Sequence, residues 1–331
     1  MKNVLFVTTA LVAFAGAAAA ESHGGVTLDW SGEANVGYND VLEGGLFWDV
    51  TLTVDASVDL GDYVTASLAW DVVSADQFGA SITDDIPTVT IGFDNGTIAA
   101  KLIAGDQDDD GASEMWYADR DGMALDVWNW DNNANDYTAV VEFGNFGVAA
   151  TTCYSCSGTS YGATAAFGSI ELGFGYDDGV VSSNTAVSAD ATFGSFDVGA
   201  SYITDGSDDS IGIAVGGTFG AMEVGAYYAI NSADDDGYGI SVDYSAGALS
   251  VGAYFDVMGD TTYGVDVAYE LSDMLTASAG IYDDATDMQY YVGIEYTVND
   301  NISATVSYAT ADEISGPEFK DGISAFITAT F

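Results

Sequence analysis

Apolar and polar residues alternate along almost the whole chain, beginning with Val26 to Tyr38, VTLDWSGEANVGY. Val26, Leu28, Trp30, Ala34, Val36 and Tyr38 share one parity, while Thr27, Asp29, Ser31, Glu33 and Asn35 share the other. Successive side chains of a strand point to opposite faces, so the pattern predicts a strand with one apolar and one acidic face. Leu46 to Leu60 repeats it, with Asp49, Asp55 and Asp59 on the polar parity. The alternation recurs through to Gly322–Phe331 in about 20 segments, each near the ~9–11 residues that cross a membrane at a tilt.

The connections predict how these strands are joined. Asp94-Asn95-Gly96, Gly144-Asn145, Gly168-Ser169, Gly194-Ser195, Gly220-Ala221 and Ser272-Asp273 read as tight turns. Longer acid-rich loops lie between them at Ser74–Ile86, Asp106–Asp136, Asp178–Asn184, Asn231–Gly237 and Thr310–Lys320. Short turns at one end and long loops at the other predict an all-β, transmembrane, antiparallel up-and-down β-barrel with an even strand number, about 16–20.

Composition sharpens the choice of solvent. There are 40 Gly, 20 Tyr and 2 Pro, and no 3.6-residue apolar stripe marks a helix. Acids within the strands fall on the polar parity, as at Asp29, Glu33, Asp49, Asp55, Glu142, Glu171, Asp266 and Glu295, which are assigned to the lumen wall. The opposite parity carries Ala and Val, with aromatic residues near strand ends, which suits a lipid belt better than the large branched residues of a dry core. A net charge of −48, from 4 Lys+Arg against 52 Asp+Glu, excludes nucleic-acid binding.

The first 20 residues read as an address. Lys2 precedes an apolar run, Val4 to Phe14, and Ala18-Ala19-Ala20 forms a small-residue cleavage site. Residues 1–20 are therefore expected to be a secretory signal peptide, with 21–331 as the barrel. No later segment is apolar enough to span a bilayer as a helix, so membrane residence requires strands.

With its signal peptide, its first strand VTLDWSGEANVGY, a long segment beginning AGDQDDDGASE and a terminal ISAFITATF, the chain resembles the trimeric general porins of Gram-negative bacteria, most closely those of alphaproteobacteria. The resemblance implies a water-filled pore in the cell outer membrane, surrounded by lipid, assembled as a homotrimer and passing small hydrophilic solutes. It also implies that the loop after the fifth strand, 106–136, folds inward as a constriction. On this sequence the constriction residues are Asp106, Asp108, Asp109, Asp110, Glu114, Asp119, Arg120, Asp121 and Asp126, with Lys101 beside them. The family sets such acids against an arginine cluster on the wall. After the signal this chain has only Lys101, Arg120 and Lys320, so that cluster is missing and cation preference is expected instead.

Three further groups carry chemistry. Asp106, Asp108, Asp110 and Glu114 are candidate calcium ligands, because alternating acids before Gly111 resemble the first half of a calcium loop; Tyr117 stands where an EF-hand has its glutamate. Cys153 and Cys156 form a C-x-x-C that, in an exported chain, reads as a disulfide pinning a loop. Trp116, Tyr117, Trp128 and Trp130 either anchor the long loop or stack sugar rings. No required cofactor is expected. The sole histidine, His23, leaves no Ser-His or Cys-His scheme, so no enzyme is expected. The alternative function is a non-conducting structural or adhesive barrel, whose longest loop would project outward.

Overall fold

The computed structural model describes residues 25–42, 45–76, 79–81, 87–105, 136–153, 159–178, 183–232, 236–283, 285–311 and 319–331. Its elements are all strands: β1 (Val26–Asn39), β2 (Leu46–Gly61), β3 (Val64–Asp76), β4 (Gly79–Ser81), β5 (Thr88–Asp94), β6 (Ile98–Gly105) and β7 (Asp136–Phe143). There follow β8 (Phe146–Cys153), β9 (Thr159–Phe167), β10 (Ile170–Asp178), β11 (Ser183–Phe193), β12 (Phe196–Thr204), β13 (Asp209–Phe219) and β14 (Met222–Asn231). The last are β15 (Gly237–Ala246), β16 (Leu249–Met258), β17 (Asp260–Ser272), β18 (Leu275–Asp283), β19 (Met288–Asn299), β20 (Ile302–Ala309) and β21 (Gly322–Thr330).

Strands adjacent in sequence pair antiparallel, except β4 with β5, and β1 also pairs with β21, so the sheet closes. Both β4 and β5 pair with β3, at its opposite ends, and occupy one position around the circumference. The 21 strands therefore make a barrel of twenty positions, an even number. The extension of β3 to Asp76 and the short β4 fall where the sequence predicted a loop from Ser74. Register explains this: Ser74 and Ala75 find partners in Ser81 and Ala80, continuing the hairpin beyond the apolar alternation.

The two ends of the barrel differ as predicted. Gly144, Gly168, Gly194 and Gly220 occupy tight turns with φ between 59° and 68°, where a side chain would be strained. Both termini of the barrel lie at this turn end. At the loop end, however, Asp205-Gly206-Ser207-Asp208 and the single residue Gly259 are themselves short connections.

Exposure separates the faces. Large apolar side chains of one parity, such as Val148, Ile213, Val292 and Val306, are half exposed around the whole circumference, whereas the other parity carries the strand acids and small polar residues, some of them, including Thr138, Ser210 and Ser324, fully buried. The first parity is thus the convex face and the second the concave one, the inside-out distribution of a membrane barrel. Two aromatic belts border the convex face. Phe143, Phe146, Phe167, Phe193, Phe196 and Phe219 lie at the turn end, with edge-on contacts such as Phe196 to Phe219 at 5.2 Å. Tyr137, Tyr161, Tyr202, Tyr228, Tyr263 and Tyr308 lie at the loop end. Phe suits the hydrocarbon edge, while a Tyr hydroxyl reaches into the headgroups.

Candidate functional site

Strand register brings the predicted wall acids onto the concave face. Asp29 is directly opposite Asp55, Glu171 opposite Asp190 and Glu223 opposite Asp243. Directly opposed residues share a face, so these are cross-strand pairs of like charge. Near β1 the acids are bridged by an amide: Asn35 Nδ2 donates to Glu33 Oε1 at 2.7 Å and to Asp49 Oδ1 at 2.8 Å, while Thr328 donates to Asn35 Oδ1 at 2.5 Å. Thr53 likewise donates to Asp71 at 2.5 Å. Glu142 is exposed beside Gly147, and Glu295 lies between Thr276 and Thr305 on its neighbouring strands. Asp266 sits across from Gly252 and Gly280.

Two basic residues are among those described, Lys101 and Lys320. Lys101 is exposed on the concave face of β6, between Gly92 and Val140. Lys320 holds its ammonium 5.4 Å from the centre of the buried Phe47 ring. The remaining constriction residues, Asp106, Asp108, Asp109, Asp110, Glu114, Asp119, Arg120, Asp121 and Asp126, lie outside the described residues. So do Cys156 and residues 1–24.

Sequence reasoning missed how the concave wall is made. Glycines recur there on β13 to β19, and large side chains lie over them from adjacent strands. The carboxylate of Asp197 rests on Gly216, its Oδ2 2.5 Å from where a Cβ would stand. Tyr227 covers Gly239 and donates its hydroxyl to Asp256; Tyr282 covers Gly264, and Tyr291 covers Gly280. Tyr254, Tyr282 and Tyr291 stack in sequence, with centroids 6.2 and 6.1 Å apart, and Phe319 meets Tyr291 edge-on at 5.3 Å. This arc extends the aromatic residues to the inner wall, where only girdles were expected. The available signal was the doublets Tyr227-Tyr228, Tyr254-Phe255 and Tyr290-Tyr291, since adjacent strand residues must face opposite ways.

The concave face is also divided along the barrel axis. On β7 to β14 the acids Glu142, Glu171, Asp197 and Glu223 at the turn end are exposed, whereas Thr138, Thr151, Ala186, Ile203, Ser210 and Ala229 towards the loop end are at most 2 % exposed. Thr138 and Thr151 share a hydrogen bond of 2.7 Å, and the buried hydroxyls of Ser160 and Ser210 have no partner among the described residues.

A family model described as Gram-negative porin matches residues 7–314 of the chain. The chain is similar to solved structures of engineered Rhodopseudomonas blastica porin: one is 14% identical with a TM-score of 0.48, another 14% identical with a TM-score of 0.46. Each alignment covers 92% of this chain and 100% of that one. No curated protein matches the chain.

Proposed function

We propose that this chain, which belongs to the Gram-negative porin family, is a cation-preferring diffusion channel with a water-filled acidic lumen. Family and fold are those of an outer-membrane channel for small solutes rather than of an enzyme. The observation that carries the finer reading is the set of like-charge pairs, Asp29 with Asp55, Glu171 with Asp190 and Glu223 with Asp243, on the concave face. Carboxylates facing each other need high-dielectric water and mobile cations in front of them, and Lys101 and Lys320 are too few to neutralise them. Rings of acids favour cations in a confined aqueous path, so solutes would be sorted by width and by charge.

The segment 106–136 is the proposed constriction, with Asp106, Asp108, Asp109, Asp110, Glu114, Asp119, Arg120, Asp121 and Asp126 supplying its charges. The buried patch from Thr138 to Ala229 supports a lumenal cover over that part of the wall, since small residues on an open concave surface would be wet. Calcium held by Asp106, Asp108, Asp110 and Glu114, a Cys153 to Cys156 disulfide, removal of residues 1–20 and assembly as a homotrimer belong to the same proposal. Reversal potentials in a salt gradient across planar bilayers test the preference. Values near the cation limit are expected, anion preference would overturn the selectivity, and absence of conductance would favour a structural barrel.

A further inference from the structure

Phe319 and Lys320 are consecutive and lie outside any strand, at the entry to β21. Their side chains part in opposite directions along the concave wall. Phe319 reaches back over β20 to β19, where its ring meets Tyr291 edge-on at 5.3 Å and is buried to 6 % exposure. Its Cε2 stands 2.5 Å from the point a Gly293 Cβ would occupy, so the ring can seat itself on β19 because residue 293 has no side chain. Lys320 reaches forward past β21 and β1 to β2, where its ammonium stands 5.4 Å from the centre of the Phe47 ring, a cation–π distance. These five strands are successive around the barrel. Two adjacent residues thus bracket four strand spacings, roughly 19 Å of wall.

Burial of the wall between them is an independent observation. Ser307 and Ala309 on β20, Ser324 on β21 and Asn39 on β1 share the concave face and are at most 4 % exposed. The backbone is tied down at the same place: Asn39 Nδ2 donates to the Asp321 carbonyl at 2.6 Å, and the Ile323 N–H donates to Asp40 Oδ1 at 2.6 Å. An apolar ring inside an aqueous path is stable only against an apolar seat, which Tyr282, Tyr291 and Ala309 supply. This stretch of wall lies about half the circumference away from the buried patch on β7 to β14, so the path is flanked from a second side.

We infer that Phe319 and Lys320 set the width and charge of the pore towards its loop end, Phe319 as a seated ring that narrows the path and Lys320 as a fixed positive charge in an acidic passage. The inference rests on the concave face being a conducting pore. The test uses the full chain in planar bilayers, with folding checked by the heat-resistant band in detergent gels. Phe319→Ala should raise single-channel conductance by roughly a quarter or more and admit larger uncharged polyethylene glycols, because passage follows pore diameter. Phe319→Leu, which keeps an apolar contact with Tyr291, should give a smaller rise in the same direction, and it decides the matter where Phe319→Ala does not fold. Gly293→Ala pushes the ring off the wall towards the axis, so conductance should fall. Adding Phe319→Ala to it should abolish that fall, a coupling that two independent structural defects would not show. Lys320→Gln should move the reversal potential towards the cation limit, most at low salt. Phe255→Ala, on the convex face of β16, should leave conductance unchanged. Parental conductance and exclusion limit in both Phe319 variants, or a fall in Gly293→Ala that persists without Phe319, would overturn the width assignment while the channel stands. An unmoved reversal potential in Lys320→Gln would overturn the charge assignment. Absence of potassium current in the parent would overturn the channel reading and both assignments with it.

Discussion

Asp29 stands directly across from Asp55, two carboxylates on paired strands facing the interior of the barrel. Such a pair is destabilising by itself. Stability and the proposed passage of cations make opposite demands on it, and one substitution should move them in opposite directions. Asp29→Asn is expected to stabilise the barrel by ~0.2–1 kcal/mol, read by urea unfolding in lipid vesicles, while shifting the reversal potential towards zero. The shift should be larger at low salt, where the Debye length is long. A variant that gains stability with unchanged selectivity would place Asp29 outside the ion path.

The two parities predict opposite tolerances. Val251 lies on the convex face of β16 and Ser250 on its concave face. Leu52→Arg, in the middle of β2, should cost ~2–4 kcal/mol, and Val251→Arg, closer to the turn end, a smaller amount, whereas Ser250→Asp should fold normally. Heat resistance of the folded band in detergent gels measures both, and equal sensitivity would mean the faces are reversed.

Within the long segment 106–135, neutralising Asp108, Asp109 and Asp110 together should lower cation preference clearly. Neutralising Asp234, Asp235 and Asp236, in the connection between β14 and β15, should do much less, because charge counts most where water is confined. Deleting Trp116 to Trp130 should raise single-channel conductance. Unchanged conductance would put this segment outside the pore.

One loop-end turn has a defined acid response. The backbone N–H groups of Asp208 and Ser207 each donate to Asp205 Oδ1 at 2.8 Å and hold its carboxyl below its ordinary pKa. A carboxyl depressed on folding stabilises the turn at pH above its unfolded value and loses that contribution as pH falls through its lower folded value. Amide resonances of Ser207 and Asp208, followed by NMR in micelles, should therefore move together with a midpoint below that of an unstructured aspartate. A midpoint at the ordinary value would mean that the turn does not engage Asp205.

How legible the protein was from sequence differs between its faces. The convex face was legible because lipid tolerates no charge, so Val251 and Leu52 could be assigned by parity alone. By complement the alternation put the strand acids on the opposite parity, and Asp29, Glu171 and Asp266 lie on the concave face of the sheet. The glycine floor and the arc from Tyr227 to Phe319 were not legible, because a tyrosine over water and one over lipid look alike until the register fixes its face. Phe319 was hidden further: it lies outside any strand, and its contact with Tyr291 crosses over β20. Short connections at the loop end were equally opaque, since Gly259 leaves no acid-rich signature.

The pairing of β1 with β21, from Glu33 opposite Thr330 to Asn39 opposite Ser324, joins the first strand to the last. Until β21 is in place β1 has no partner on that side, and a product lacking β21 keeps two raw edges. In hydrocarbon each raw edge leaves a row of amides and carbonyls without partners, a penalty no other contact in the barrel relieves. Closure thus makes the sheet all-or-none: the pairing of β1 with β21 removes both edges at once, and loss of either strand restores them.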